Sequence, residues 1–206
     1  MNISDLNDIV VFRLKRLLDN EIGSVQRMRH IISSYQREQN IALENKRKEI
    51  EAKVAQADDP EAQGDLMSLN DEVFLNEEAK GLADELSIIA LYKQIEITTK
   101  KAVAVAYPNI TESQLKKLSY IDAMKKTLED QGIYIETFEA FQAFTELRFI
   151  NNSIKHEGVV SKELARFEGW TECEALSNLD TAYERLEPEC LGYVRQFIHE
   201  LIAKRT

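Results

Sequence analysis

The chain has 206 residues with only 7 Gly and 3 Pro, a length and composition typical of one mostly helical domain. Its net charge of −10 excludes general nucleic-acid binding, so RNA or phosphate would need a local basic site. Two cysteines exclude a disulfide framework and a zinc site, and because we find neither a leader nor a membrane-length apolar run, we expect a cytoplasmic protein with no membrane partner.

Residues 1–57 are predicted to form a long N-terminal helix or arm. Apolar residues recur at three- and four-residue spacing from Val11 to Tyr35, which indicates one helix, or two in line near Gly23. From residue 36 to residue 56 the apolar positions become sparse among charged residues. That pattern is typical of a solvated extension, or of a coiled-coil arm against a partner.

Residues 71–158 are predicted to contain the core. A loop is expected over 58–70, which holds Pro60 and Gly64, and a strong helix over 71–106. Glu96 in that helix has two interpretations. It pairs with Lys100 at i+4, or it crosses the bundle to meet Arg148 or His156.

The remaining elements are shorter. A connector begins at Thr111, and a helix over 120–131 is expected to end at Gly132. Residues 159–206 are predicted to be C-terminal helices: a short capped helix over 161–167, a helix over 173–186, and a last helix that begins at Pro188. Together these patterns predict an all-α bundle of about five to seven helices.

The stretch 137–156, TFEAFQAFTELRFINNSIKH, is predicted to be the central helix because its first half is apolar on both sides. One side carries a core stripe of small and aliphatic residues, namely Ala140, Ala143, Leu147, Ile150 and Ile154. The other side begins with phenylalanines and then changes to a polar row at i, i+4 and i+8. That row is Arg148, Asn152 and His156.

The polar row has two interpretations that spacing alone does not separate. It is an ordinary solvated face, with His156 favourably placed at the helix C-terminus before Gly158. Alternatively, a guanidinium, an amide and an imidazole on one rigid face hold a phosphate and move a proton. The chain has no glycine-rich phosphate loop, HExxH, GxSxG or zinc spacing, so we expect neither a metal nor a cofactor.

Two segments, ALYKQIE (residues 90–96) and LRFINNSIKH (residues 147–156), resemble the HEPN superfamily, the higher eukaryote and prokaryote nucleotide-binding helical domains. The resemblance implies an antiparallel helical bundle that forms a homodimer. Many members are metal-independent RNases of toxin–antitoxin, abortive-infection and CRISPR systems. In these members one helix carries an Arg and a His. The composite active sites form where two such helices meet at the dimer interface.

The resemblance maps onto this chain residue by residue. His156 matches the family's histidine and Asn152 its polar residue, but Asn151 stands where the arginine most often lies. Arg148 is the nearest arginine, about 80° round the helix from His156. The implied roles are general acid or base for His156, transition-state stabilisation for Arg148 and phosphate orientation for Asn152, with added charge from Lys155.

Three functional hypotheses follow. The leading one is a metal-independent RNase of the toxin or phage-defence type, with an antitoxin or defence-system partner. The alternative is a catalytically silent HEPN-like module that binds a nucleotide, RNA or a partner protein, and the third is a purely structural bundle. A positive patch would favour the first two over the third. Its members would be Arg148, Lys155, Lys162 and Arg166.

Overall fold

The computed structural model describes residues 3–20, 23–56, 60–156 and 158–205, and within these ranges the chain is helical with no strand. The all-α prediction is confirmed, and the described helices number seven. They are α1 (Ile3–Asn20), α2 (Gly23–Gln56), α3 (Pro60–Ala106), α4 (Glu112–Lys117), α5 (Ile121–Glu129), α6 (Phe141–His156) and α7 (Leu179–Ala203). No helix among the described residues is both long and apolar enough to cross a membrane.

The helices belong to two compact units. The core unit comprises the chain up to Val25 together with everything from Ile88 onward. The hairpin unit comprises Gln26–Ser87, which is most of α2 and the first part of α3. Helices α2 and α3 therefore each contribute residues to both units.

The core unit is built on the contact between α6 and α7, with α1 also packed on α7. The predicted core stripe is largely confirmed, since Ala143, Leu147 and Ile150 are all buried. On the other side of α6, Phe144 stacks on two tyrosines. Its ring centroid lies 4.5 Å from that of Tyr193 on α7 and 6.1 Å from that of Tyr92 on α3.

The N-terminal boundary of the central helix differs from the prediction. Helix α6 begins at Phe141 rather than Thr137, and a 3-10 turn, Ile135–Thr137, precedes it. Phe138 after that turn is extended (φ −69°, ψ 138°) and buried, with its ring 5.7 Å from that of Tyr193. Burial of this aromatic residue outside the helix fixes the boundary, because the tertiary contact outweighs the local helical pattern.

The predicted loop over 58–70 is wrong for the part that the structure describes. Helix α3 begins at Pro60 and continues through Gly64, while residues 58 and 59 lie outside the described residues. Proline fits the first helical position because its missing N–H would have no partner there. One glycine costs a helix only about 1 kcal/mol, and the full burial of Leu69 offsets this cost.

The C-terminal helices also differ from the prediction. No helix covers 173–178 and none begins at Pro188, because α7 begins at Leu179 and runs through Pro188. The predicted helix over 161–167 is only a 3-10 turn, Leu164–Arg166. Fully buried residues on both sides of the proline, Leu186 and Cys190, hold the two halves of α7 in one line. Packing outweighs the roughly 3 kcal/mol that an internal proline costs a helix.

Two short elements match their sequence signals. Thr111 caps α4 in a capping box, because its hydroxyl accepts from the Gln114 N–H while the Gln114 side chain accepts from the Thr111 N–H. The segment after α5 turns at Gly132, whose φ of +70° favours glycine. Ser119, between α4 and α5, bonds to Glu96 and Lys100 of α3, which keeps this segment beside α3.

The hairpin unit is an antiparallel pair of helices. Arg29 on α2 forms an ion pair with Asp84 on α3, and farther along Lys46 Nζ lies 2.6 Å from Glu72 Oε1. Between these ion pairs, the Asn76 amide donates to the Asn40 side-chain oxygen over 2.8 Å. The residue numbers of the facing positions increase along α2 as they decrease along α3. The helices are therefore antiparallel, and these contacts fix their register.

The two cysteines have opposite environments. Cys190 on α7 is fully buried, and burial raises the pKa of its thiol. Cys173 is exposed and has a left-handed backbone conformation (φ 67°) beside the isolated bridge between Val159 and Ala175. The structure gives both as free thiols.

Candidate functional site

Of the polar row Arg148, Asn152 and His156, Arg148 is the least exposed residue. Its guanidinium carbon lies 4.3 Å from the centroid of the neighbouring Phe149 ring, and the residue is only partly exposed. Its Nε is buried and has no hydrogen-bond partner among the described residues. A buried donor without an acceptor costs free energy, so a water or a small anion in the adjoining pocket would stabilise this side chain.

Glu96 contributes to the same pocket as Arg148 but bonds to other groups. Its Oε1 accepts from Lys100 Nζ at 2.5 Å and from Ser119 Oγ at 2.6 Å, and its Oε2 accepts from Lys93 Nζ at 3.3 Å. Of the two interpretations of Glu96, the i+4 pair with Lys100 is thus present. No hydrogen bond joins Glu96 to Arg148 or to His156 among the described residues.

These contacts explain the acidity of Glu96. Partial burial alone would raise the pKa of this carboxyl, but the hydrogen bonds from Lys100, Ser119 and Lys93, together with the charge of Lys100, outweigh the burial. The net effect lowers the pKa of Glu96 to about 2. The carboxylate therefore stays ionised at neutral pH and is not a proton donor.

Tyr92 lies between the charges of this region. Burial raises the pKa of its phenol, the charge of Glu96 raises it further and the charge of Arg148 lowers it. Lys155 Nζ lies 6.0 Å from the centroid of the Tyr92 ring. Arg148 and Lys155 are seven residues apart, so both lie on the side of α6 that faces Tyr92. With Asn152 at i+4, they form one surface, which we call the α6 face.

Asn151 and Asn152 lie on different sides of the helix. Asn152 is exposed, whereas Asn151 is 1% exposed and its buried Oδ1 accepts no hydrogen bond from the described residues. The Asn151 amide donates weakly to Asn152 Oδ1 over 3.4 Å. Asn151, which the resemblance to HEPN proteins would align with their arginine, is therefore inside the core and away from the α6 face.

His156 ends α6 and is exposed. By helical geometry its imidazole points about 80° away from the direction of Arg148. Lys162 and Arg166 of the predicted positive patch are exposed as well. The Phe167 ring next to Arg166 lies 6.2 Å from the Phe149 ring on which Arg148 rests, so aromatic packing brings this segment toward the α6 face.

A buried carboxylate that the sequence analysis did not single out orients α6. Glu146 is 4% exposed, and its two oxygens accept from Arg185 on α7 at 2.6 and 3.0 Å. Trp170 also donates its indole N–H to Glu146 over 2.8 Å. The hydrogen bonds that Arg185 donates to Glu146 raise the pKa of Arg185, which therefore stays charged. This network fixes the rotation of α6 and hence the direction of Arg148.

The pocket beside Arg148 is small. Residues of α3, of the α4–α5 segment and of α6 line it, including Tyr92, Glu96, Ser119 and Met124. Its volume is about 10 Å³, which accommodates a single water molecule but not a nucleotide base. Among the described residues, no three His, Cys, Asp or Glu side chains gather in a way that could hold a metal ion.

The geometry defines an all-helical protein with a candidate anion-binding helix face. No protein-family model matches the chain, and comparisons with curated proteins and with solved structures find no match. The likeness to HEPN proteins thus rests on the residues of α3 and α6 quoted above.

Proposed function

We propose that the chain is a HEPN-like helical module that binds the phosphate groups of RNA or of a nucleotide through the α6 face. One observation carries this proposal. Arg148 is held on Phe149 with a buried Nε that has no acceptor among the described residues, while Asn152 and Lys155 lie exposed on the same side of the helix.

The chemistry of the α6 face suits a phosphate. An arginine guanidinium can bind two phosphate oxygens in parallel, and because the contact with the Phe149 ring already restricts the Arg148 side chain, less side-chain entropy is lost on binding. Lys155 adds a positive charge and Asn152 an amide donor. Since the chain as a whole carries −10, a ligand is attracted only locally, which favours a specific contact over general polyanion binding.

The size of the pocket limits how a ligand binds. A volume of about 10 Å³ leaves no space for a base beside Tyr92 and Glu96. A nucleotide would therefore contact the α6 face from outside, through its phosphate and sugar. That mode is typical of RNA backbone recognition, which reads phosphates and 2′-hydroxyls rather than a buried base.

A second candidate function is the metal-independent RNase of the toxin or phage-defence type, working in a homodimer and controlled by an antitoxin or defence-system partner. The observation that favours it is the exposed imidazole of His156, one turn beyond Asn152 on the same rigid helix. In this reaction His156 takes or gives the proton, Arg148 stabilises the extra charge on the pentacoordinate phosphate and Asn152 orients it. The burial of Asn151 favours the binding module over the nuclease.

Binding is tested by fluorescence anisotropy with a labelled single-stranded RNA. We expect Arg148→Ala to weaken binding roughly tenfold or more, because a charge-assisted hydrogen bond to phosphate contributes about 1.5–3 kcal/mol. Arg195→Ala is the matched control, since Arg195 is an exposed arginine on α7. Equal affinities of wild type and Arg148→Ala would contradict the proposal.

Cleavage is tested separately, with the same RNA in the presence of a chelator and by growth curves during induced expression. A nuclease predicts RNA fragments and growth arrest with the wild type, and neither with His156→Ala or Arg148→Ala at unchanged helical content. Normal cleavage by a folded His156→Ala protein excludes the nuclease mechanism. RNA binding without any cleavage leaves the binding module as the function.

A further inference from the structure

The hairpin unit distributes its apolar residues in a way that a solitary pair of helices does not explain. Between the helices lies an open cleft of about 240 Å³, lined in part by Asn40, Arg47 and Asn76. Large apolar side chains instead face solvent, each more than half exposed. They are Ile31, Tyr35, Ile41, Met67, Phe74, Leu75, Leu82 and Leu86. The seam, the line along which α2 and α3 face each other, buries Ile50 and Leu69, and Leu43 and Val73 also line its cleft, yet these eight large apolar residues remain outside it.

Five of these residues form one continuous surface. At about 100° per residue, Ile31 and Tyr35 lie roughly 110–150° round α2 from the seam, and Leu75, Leu82 and Leu86 lie at the same angle in the same sense round α3. Because α2 and α3 run in opposite directions, equal rotations about the two helix axes, each measured along its own chain direction, point to the same side of the pair. We call these five residues the apolar face. By the same geometry, the other three residues, Ile41, Met67 and Phe74, lie on the opposite side.

The register places the members of the apolar face at matching levels. The Arg29–Asp84 and Asn40–Asn76 contacts bring Tyr35 to about the level of Leu82 and Ile31 to about the level of Leu86. On α3, moreover, Leu75, Ala79, Leu82 and Leu86 recur at alternating four- and three-residue steps. That heptad-like spacing is the one by which helices pack as coiled coils and bundles.

The two helices also carry opposite charge. Residues 26–56 of α2 hold seven Lys and Arg against four Glu, whereas residues 60–87 of α3 hold eight Asp and Glu against one Lys. If two copies meet through their apolar faces about a two-fold axis parallel to the helices, each basic α2 lies on the acidic α3 of the other copy. A two-fold axis across the helices would place like charges together. The charge pattern therefore selects both a second copy as partner and its orientation.

The exposed area of the apolar face is large enough for a contact with a second copy of the chain. Five large side chains that are each more than half exposed offer about 500 Å² of apolar surface, at roughly 100 Å² apiece. A standard interface buries about 800 Å² per partner, of which roughly 60% is apolar. The apolar face supplies that share, and the charged residues beside it supply the polar remainder.

We propose that the hairpin unit is a homodimerisation element, in which the apolar faces of two copies meet to form an antiparallel four-helix bundle with each α2 on the partner's α3. The inference is independent of phosphate binding at the α6 face. It assigns to residues 26–87 the role of bringing two chains together. The open cleft between α2 and α3 lies within each copy and is not part of the contact between the two copies.

The first test is the oligomeric state of the full chain, measured by sedimentation equilibrium. We expect a dimer in the wild type and a dissociation constant raised at least about 100-fold in Leu75→Gln/Leu82→Gln/Leu86→Gln, because each lost leucine contact weakens association roughly tenfold. The matched control is Met67→Gln/Phe74→Gln, which removes apolar residues from the opposite side and should leave the dimer intact. A monomeric wild type, or a triple variant that dimerises as tightly as wild type, overturns the proposal.

The second test addresses orientation. In a Cys173→Ser background, which removes the exposed native thiol, the Tyr35→Cys and Leu82→Cys variants are mixed and mildly oxidised. Disulfides between the two different variants should greatly exceed those within either variant, because position 35 faces the partner's position 82. Predominant self-linkage of either variant overturns the arrangement. Circular dichroism of each variant shows whether the helices are retained.

Discussion

The core unit and the hairpin unit use the same kinds of residue in opposite ways. In the core unit, aliphatic and aromatic side chains of α6 and α7 are buried and polar ones such as Asn152 are exposed, whereas in the hairpin Leu75 and Leu82 are exposed and Asn40 and Asn76 face the seam. Both units are helical, so helix formation alone does not require burial of a complete apolar surface. The core unit is therefore stabilised from within, whereas the hairpin buries Ile50 and Leu69 but leaves a large apolar surface that a partner would cover.

The largest effect that tests this comparison is the loss of a fully buried leucine. Leu147→Ala in α6 should lower the free energy of unfolding by about 3 kcal/mol, because it removes transfer free energy and leaves a cavity. Leu82→Ala, with a side chain 57% exposed in the hairpin, should cost less than about 0.5 kcal/mol in dilute protein. Urea denaturation measures both. Similar losses would show that the two units do not differ as described.

The next effect concerns the buried carboxylate of the core unit. Glu146→Ala removes the acceptor of Arg185 and Trp170, so the free energy of unfolding should fall by about 2 kcal/mol, a loss moderated because Arg185 is half exposed. Glu184→Ala, on the exposed side of α7, is the control and should change stability little. Thermal unfolding followed by circular dichroism measures both variants. An unchanged Glu146→Ala protein would mean that this network does not hold α6 in place.

A smaller effect depends on pH. Glu96→Gln should cost about 1 kcal/mol at pH 7, because it weakens the contacts with Lys100 and Ser119. The folded pKa of about 2 lies below the ordinary 4.5, so the ionised carboxylate stabilises the fold fully above pH 4.5 and this contribution is lost as the pH falls toward 2. The gap between wild type and variant should therefore close over that range. The exposed Glu129→Gln variant is the control. A stability difference between wild type and Glu96→Gln that does not change with pH, or the same pH dependence in Glu129→Gln, would contradict the lowered pKa of Glu96.

The smallest effect is a gain. Asn40→Leu/Asn76→Leu replaces a hydrogen-bonded pair in the hairpin seam by two apolar side chains beside the open cleft. The free energy of unfolding should rise by about 0.5 kcal/mol, since replacing both partners leaves no unpaired group and adds apolar contact. A matched double substitution to Ala should not produce the gain. Destabilisation by the leucines would mean that the polar seam is needed for the helices to pair.

Helical periodicity was sufficient to predict the all-helical class and the buried stripe of α6, because the three- and four-residue spacing of Ala143, Leu147 and Ile150 depends only on helix geometry. It failed where packing overrules local signals. Pro60 and Gly64 lie within or at the start of a helix, and Pro188 lies inside α7. In each case burial of a neighbouring residue outweighs the cost of the helix breaker.

The candidate site was predictable in part. The row containing Arg148 and Asn152 follows from spacing, but the partner of Glu96 does not, since i+4 and cross-bundle pairs have the same sequence signature. Tyr92 was missed as a site residue, although its four-residue distance from Glu96 placed both on one side of α3. Contacts between distant segments, such as Glu146 with Trp170 and Arg185, leave no local pattern by which they could be found.

Because the two thiols differ in exposure, timed thiol labelling can measure how fast the core unit opens. A maleimide or aromatic disulfide reagent reacts with cysteine thiolates that it can reach, and Cys173 is exposed. Cys190 is shielded by α7 packing and its raised pKa suppresses the thiolate, so it is labelled only when that region opens. The mass of intact protein after timed labelling therefore counts molecules with one or two modified thiols. The rate of the second modification reports how often the core opens, with no engineered probe.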